Sequence, residues 1–78
     1  MSDRAAHGTA GTLRVTVNGE PRELPAGTTV AALLLALDVR DGRCAVEINR
    51  EIVPRSTHAA RALAAGDAVE IVTFVGGG

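Results

Sequence analysis

One segment of this chain has the periodicity of an α-helix, while the other apolar segments alternate with the period of a β-strand. The helical segment places apolar side chains at positions i, i+3, i+4 and i+7, on one face: Val30, Leu33, Leu34 and Leu37. In a chain of 78 residues, a single helix must cover one face of a single sheet. The sequence therefore predicts an α+β domain with one main helix packed on a mixed sheet of four or five strands.

Turn-forming residues separate the alternating segments. The predicted strands are residues 13–17, 20–24, 44–48, 52–53 and 68–75. Alternation places Leu13, Val15 and Val17 on one face of the first, half-buried strand and turns Val46 and Ile48 inward on the third. Between the first two, Asn18 and Gly19 tolerate the positive φ of a type I′ turn, which predicts a hairpin. The first and last strands are predicted to pair in parallel at the centre of the sheet, because the intervening chain is long enough for a crossover. This order and pairing predict the β-grasp arrangement.

The helix and the connections also carry local signals. Thr28 or Thr29 is predicted to cap the helix, because a threonine hydroxyl can accept an N–H of the first turn. Leu35 lies off the apolar face and is expected to be an exposed leucine. Ser56 is expected to cap a brief helical segment, and Leu63 after it to cover one end of the core.

Composition and charge exclude several classes of function. With a net charge of -1 and Phe74 as the only aromatic residue, the chain lacks the features that bind single-stranded nucleic acid. Cys44 is the only cysteine, which excludes an intrachain disulfide and indicates a reducing compartment. His7 and His58 have no second cysteine to join in a zinc site, and the longest apolar run, residues 30–37, is too short to span a bilayer. We expect a cytoplasmic chain, a monomer when free, with no metal and no membrane or nucleic-acid partner.

The side chains that could carry chemistry form no catalytic constellation. Cys44, at the start of a strand, is expected to be a small buried apolar residue. We expect His58 at the surface, near the start of a short helix. Glu47, Glu51 and Glu70 either offer a carboxylate-bearing face to a basic partner or are only solvated. The sequence therefore predicts no catalytic side chain and no enzyme activity.

The chain ends in three consecutive glycines, Gly76, Gly77 and Gly78, directly after the strongly β-forming residues 69–75. Glycine accepts nearly any backbone angle and allows other atoms to approach closely, so this segment is a thin lead that carries an α-carboxylate. We predict a flexible extension at residues 1–11, the β-grasp domain at residues 12–75 and a flexible glycine tail at residues 76–78.

Four segments together resemble the ThiS family of sulfur carriers, which are bacterial relatives of ubiquitin. They are residues 17–20 (VNGE), 27–30 (GTTV), 49–55 (NREIVPR) and 66–78 (GDAVEIVTFVGGG). The IVPR segment and the final strand with its glycines, in that order and near that spacing, are the most specific of the four. The N-terminal extension is a departure from the shortest family members, which begin at the first strand.

The resemblance implies that Gly78 is the reacting residue. A ThiF-like enzyme would use ATP to adenylate its carboxylate, and a persulfide supplied by a cysteine desulfurase would convert the adenylate to a thiocarboxylate. Thiazole synthase, ThiG, would then accept the sulfur. Gly76 and Gly77 would thread the narrow active sites of these partners, where a side chain would clash. The chain itself has no phosphate-binding loop, so it is expected to bind no cofactor and to use ATP only through a partner.

Alternation along the last strand turns Val69 and Ile71 toward the core and the residues between them toward the opposite face. Val72, Phe74 and Val75 are therefore predicted to form a partner-binding patch beside the tail. The alternative is that Phe74 folds back onto the edge of the core. Two alternative functions also remain at this point: a MoaD-like carrier that supplies molybdopterin synthase, and a ubiquitin-like docking module that is never activated.

Overall fold

The structure is a computed structural model, and it describes residues 11–74. Its strands and helix are β1 (Thr12–Val17), β2 (Glu20–Pro25), α1 (Val30–Ala36), β3 (Cys44–Ile48), β4 (Glu51–Ile52) and β5 (Ala68–Thr73). Two short 3-10 helices, Asp41–Arg43 and Arg55–Thr57, lie in the connections. The prediction of one main helix on a mixed sheet is confirmed. No helix of the described residues is long and apolar enough to cross a membrane.

The strands form one sheet of five, in the order β2-β1-β5-β3-β4. β1 and β5 pair in parallel at its centre, with Thr16 opposite Ala68 and Val17 opposite Val69. The pairs β1–β2, β3–β5 and β3–β4 are antiparallel. The first and last strands thus meet where the sequence predicted, because α1 and the connections around it supply the crossover.

Both hairpins use two-residue turns with positive φ. Asn18 and Gly19 have φ of 51° and 86°, as a type I′ turn requires. The turn from β3 to β4 is of the same length, and its residues Asn49 and Arg50 have φ of 53° and 71°. Asparagine adopts this conformation readily because its short polar side chain can hydrogen-bond to the nearby backbone, whereas arginine has nothing that offsets the crowding of its Cβ. The second turn is therefore the more strained of the two.

The connection after β4 caps the start of α1. The hydroxyl of Thr29 accepts the amide of Ala32 at 3.1 Å, so Thr29 is the capping residue of the two candidates. The amides of Val30 and Ala31 donate to carbonyls of the connection, at Arg61 (2.9 Å) and His58 (3.0 Å). Three amides that an isolated helix leaves without partners are thereby satisfied.

The core lies between α1 and the inner face of the sheet, and it is aliphatic. Its buried residues are Val15, Val17, Leu24, Val30, Leu33, Leu34, Val46, Ile48, Val53, Leu63, Val69 and Ile71. The helical face and the inward positions of β1, β3 and β5 were predicted correctly, as was Leu63. Leu37 is half-buried against this cluster, and Leu35 is 82% exposed as expected. Cys44 is less buried than predicted, since it packs at the rim of the core.

Two expectations about the connection after β4 were wrong. Ser56 does not cap a helix: it lies inside the 3-10 helix Arg55–Thr57, which begins after Pro54 without a side-chain cap. The Thr57 hydroxyl instead donates to the Pro54 carbonyl at 2.8 Å. His58 does not lie at the surface but is 2% exposed. A polar ring can be buried there because both of its nitrogens have protein partners.

The predicted domain boundaries fall partly outside the described residues. Gly11 was assigned to the extension, but its carbonyl accepts the amide of Ala26 at 3.1 Å. Gly11 therefore belongs to the folded domain. The predicted last strand ran to residue 75, whereas β5 ends at Thr73. The flexibility assigned to residues 1–10 and to the glycine tail stays a prediction.

Candidate functional site

β5 leads toward the glycine tail, so the site begins where this strand ends. Of the predicted site residues, Val72 and Phe74 are described. The other four lie outside the described residues: Val75, Gly76, Gly77 and Gly78. The structure therefore defines the surface from which the tail departs.

One face of the sheet carries α1, and no helix or strand within residues 11–74 covers the opposite face, which we call the open face. On β5, Glu70 and Val72 point to the open face, between the buried Val69 and Ile71. The neighbouring strand places Glu47 opposite Glu70 and Ala45 opposite Val72. The amide of Phe74 continues this register by donating to the carbonyl of Arg43 at 2.9 Å. These residues form rows across the open face beside the start of the tail.

Three large apolar side chains are exposed on this face. Val72 is 62% exposed, Phe74 is 54% exposed and Ile52 is 75% exposed. We call these three residues the open-face patch. Phe74 does not fold back onto the edge of the core, which removes that alternative placement. Exposed apolar side chains grouped on one face mark surfaces that bind partners, and the binding role of the patch stays a prediction.

Ile52 was not predicted from the sequence to be part of the patch. Ile52 is paired with Glu47 and points outward, while the next residue, Val53, is buried. Alternation between these two neighbours was the available signal, but two residues are too few to distinguish an inward from an outward position. Only the pairing of β4 with β3 determines which of them faces out.

The three glutamates that were considered together as one carboxylate-bearing face lie on two different faces of the sheet. They are Glu47, Glu51 and Glu70. Glu47 and Glu70 lie directly opposite each other on the open face. Glu51 is opposite the buried Ile48, so it belongs to the other face. Like charges directly opposite in a sheet are mildly destabilising. A partner that brings a cation to this pair would remove that repulsion.

The first half of β5 is hydrogen-bonded on both sides. On the β1 side, the amide of Asn18 donates to the carbonyl of Val69 at 2.8 Å. The Asn18 side chain then extends the ladder, because its Oδ1 accepts the amide of Ile71 (2.8 Å) and its Nδ2 donates to the carbonyl of Ile71 (3.2 Å). On the β3 side, Asn49 Oδ1 accepts the amide of Ala68 at 3.0 Å.

The second half of β5 is hydrogen-bonded to β3 alone. β1 pairs with β5 only as far as Val69, and the Asn18 side chain reaches Ile71. Thr73 is two residues further on the same side of the strand, so its N–H and C=O face away from β3. No strand of the described part of the chain lies beside it. This open edge is the kind to which an extended segment of a partner can add.

Cys44 is a poor candidate for sulfur chemistry. Burial and the neighbouring Asp41 carboxylate together raise the pKa of its thiol, and the Arg55 guanidinium opposes them only in part. A thiol needs a lowered pKa to react as the thiolate at neutral pH. Within residues 11–74, no group of three or more His, Cys, Asp or Glu side chains could hold a metal ion.

Comparison with known proteins identifies relatives that match most of the chain. The sequence model of the ThiS family matches residues 15–78. The sulfur carrier protein ThiS of Escherichia coli is 33% identical over 66 residues, which are 85% of this chain and 100% of that protein. A crystal structure of a thiamine biosynthesis protein (ThiS) from Geobacter metallireducens superposes with a TM-score of 0.72 at 38% identity, over 85% of this chain and all of that one.

A longer protein also contains a segment similar to this chain. The thiazole synthase of Paramagnetospirillum magneticum is 48% identical over 66 residues, which are 85% of this chain. This chain spans only 20% of the length of that relative. In that organism, a segment of this type is thus part of the same polypeptide as a thiazole synthase.

Proposed function

This chain belongs to the ThiS family, and we propose that it carries sulfur for thiamine biosynthesis on its own last residue, Gly78. The observation that carries the proposal is the family match, which runs from β1 through the final glycines. The geometry supports it, because β5 is anchored at its start and its end leads to the glycines beside an open apolar face. The scaffold presents the tail, and no side chain needs to react.

The proposed chemistry takes place at the α-carboxylate. As an anion it is a poor electrophile, so an activating enzyme must first transfer AMP to it from ATP, with release of pyrophosphate. The terminal sulfur of a persulfide then attacks the acyl carbon and displaces AMP, which leaves an acyl disulfide. A second thiol then attacks the other sulfur of that disulfide, the one that stays with the persulfide's former carrier, forms a new disulfide with it and releases the thiocarboxylate of Gly78.

Gly76 and Gly77 would let this end enter a narrow, closed active site. An acyl-adenylate hydrolyses in water, so the enzyme that forms it must surround the tail closely. A tail without side chains fits such a channel, but fixing it costs about 1–2 kcal/mol per residue in conformational entropy. The open-face patch supports the proposal because apolar burial there can offset this cost.

We propose a ThiF-like adenylating enzyme and thiazole synthase as the two docking partners. The similarity to part of a thiazole synthase favours this recipient over molybdopterin synthase, since two functions joined in one polypeptide commonly act on each other's products. A cysteine desulfurase would contribute indirectly, as the source of the persulfide. The chain is then a co-substrate of these enzymes and not itself an enzyme.

Intact-mass spectrometry tests the proposal directly. The full chain is incubated with ATP, magnesium, a ThiF-like enzyme and sulfide, with Escherichia coli ThiS treated in parallel as a positive control. We expect a mass gain equal to the difference between one sulfur and one oxygen, located at Gly78. A variant lacking Gly78 should show no gain.

An unchanged mass in this chain, with conversion of the control, would rule out both carrier functions and leave the docking module. Transfer of the sulfur to molybdopterin synthase but not to thiazole synthase would contradict the proposed recipient.

A further inference from the structure

The buried ring of His58 links two connections that are distant in sequence. Its Nε2 lies 3.1 Å from the carbonyl oxygen of Val53, and its Nδ1 lies 2.5 Å from Oδ1 of Asp41. A carbonyl oxygen can only accept, so Nε2 donates to Val53, and Nδ1 is hydrogen-bonded to the Asp41 carboxylate. The Arg55 guanidinium lies 4.0 Å from the other oxygen of Asp41. The ring is therefore hydrogen-bonded to both connections.

The two partners of this ring differ in how firmly they are held. Val53 is a core residue, and the His58 backbone is itself fixed, because its carbonyl accepts the amide of Ala31 in α1 at 3.0 Å. Asp41 is the first residue of the 3-10 helix Asp41–Arg43, and its side chain is 41% exposed. The ring thus ties a rim segment to the core.

That rim segment, the 3-10 helix Asp41–Arg43, makes the last backbone contact that the structure describes after β5. The amide of Phe74 donates to the carbonyl of Arg43 at 2.9 Å, two residues after Asp41. Between them, Gly42 lies against the Arg55 guanidinium, whose atoms are 3.1–3.2 Å from where a Cβ would be. A Cβ at Gly42 would therefore displace the end of the exposed Arg55 side chain by a few tenths of an ångström.

We propose that His58 and Asp41 are positioning residues that hold Phe74, the last described residue before the tail, against β3. The inference rests on the proposed function, because only then does the placement of Phe74 before the tail matter. With the link intact, the Arg43 carbonyl holds Phe74 against β3. Without it, the rim segment and the Phe74 amide open together, and fewer molecules hold Phe74 in the position that a partner enzyme binds. The chemistry at the carboxylate is unchanged.

Two substitutions at His58 each keep one half of the link. In His58→Asn the amide nitrogen lies near the position of Nδ1 and can still donate to Asp41. In His58→Gln it lies near the position of Nε2 and can still donate to Val53. Both variants lose one buried hydrogen bond and should lose similar global stability. Asp41→Ala, at a half-exposed side chain, removes the same link as His58→Gln and remains informative where a histidine variant does not fold.

The readouts are hydrogen exchange at the Phe74 amide and the kinetics of adenylation. The Leu33 amide in α1, which donates to Thr29 at 2.9 Å, serves as the internal reference for global opening. Relative to it, we expect exchange at Phe74 to rise about tenfold in His58→Gln and Asp41→Ala, and much less in His58→Asn. The KM of the activating enzyme for His58→Gln and Asp41→Ala should rise about three- to tenfold, with kcat unchanged.

Equal exchange at Phe74 in both histidine variants would overturn the proposal, and so would an unchanged KM in His58→Gln. If the wild-type chain is not adenylated at all, the proposed function fails and the positioning role fails with it. If the wild type is adenylated normally and His58→Gln behaves identically, only the positioning role fails.

Discussion

The two halves of β5 are held differently, although they belong to one strand. From Ala68 to Ile71 the backbone is bonded on both sides, by β1 with Asn18 and by β3 with Asn49. From Val72 onward it is bonded to β3 only, and the side chains on the open face are apolar. The first half contributes two residues to the core, Val69 and Ile71, while the second half contributes none.

This difference shows how a small scaffold can combine stability with an accessible end. A strand that is fixed along its whole length would leave no backbone or apolar surface near the tail for a partner. A strand that is loose along its whole length would remove two core residues from a domain that has few to spare. Here, the change occurs at Ile71, where the Asn18 side chain makes the last contact on the β1 side.

Removing the Asn18 side chain should have the largest effect on the anchored half. We expect Asn18→Gly to lower the free energy of unfolding by about 1–2 kcal/mol, because two hydrogen bonds to Ile71 are lost while glycine still tolerates positive φ. Asn18→Ala should cost about 1 kcal/mol more, because alanine resists the left-handed conformation. Urea unfolding measures both. A glycine variant as stable as the wild type would show that the side chain does not anchor β5.

A charge in the second half should affect binding and leave folding unchanged. We expect Phe74→Asp to weaken binding to the activating enzyme by about five- to thirtyfold, because an apolar contact at the open-face patch is lost. The free energy of unfolding should change by less than about 0.5 kcal/mol, since Phe74 is exposed.

Leu35→Asp is the matched control, because Leu35 is also a large exposed apolar residue (82% exposed, against 54% for Phe74) but lies on α1, on the other side of the domain. Isothermal titration calorimetry compares the two variants. Equal losses of affinity in both, or no loss in Phe74→Asp, would contradict a specific role for the open face.

The smallest expected effect concerns the turn that carries Asn49. Arg50 has φ of 71°, which is strained for a residue with a Cβ. We expect Arg50→Gly to raise the free energy of unfolding by about 0.5 kcal/mol, because relief of strain exceeds the added freedom of the unfolded chain. Arg22→Gly, in the exposed strand β2, should instead lower it by about 0.5–1 kcal/mol. Thermal unfolding measures both variants. A free energy of unfolding that changes in the same direction in both would show that the turn is not strained.

Local signals predicted most of the fold correctly. Periodicity identified α1 and the inward positions of β1, β3 and β5, and Asn18-Gly19 identified the first hairpin because few other residue pairs accept its dihedral angles. The open-face position of Phe74 followed from alternation along β5. These features depend on residues close in sequence. A repeat of about two residues therefore reveals a strand, and a repeat of about 3.6 residues reveals a helix.

Features that depend on contacts between distant segments were missed. The sequence placed His58 at the surface, because its partners Asp41 and Val53 are 17 and five residues away and nothing local indicates them. Ile52 was not recognised as part of the patch, and Glu51 was wrongly considered together with Glu47 and Glu70. In each case the outcome depends on which face of the sheet the residue occupies once β3 and β4 pair.

The sequence alone determined the β-grasp arrangement and most of the residues that fill its core, because these follow from local periodicity, and its resemblance to the ThiS family indicated a sulfur carrier with a glycine end. Only the tertiary structure decided how β5 is held. Its anchors at Asn18 and Asn49 act across 53 and 19 residues of sequence, respectively, and the buried link from His58 to Asp41 forms only when two connections pack together. Hydrogen bonds of this kind require partners that folding alone brings within reach.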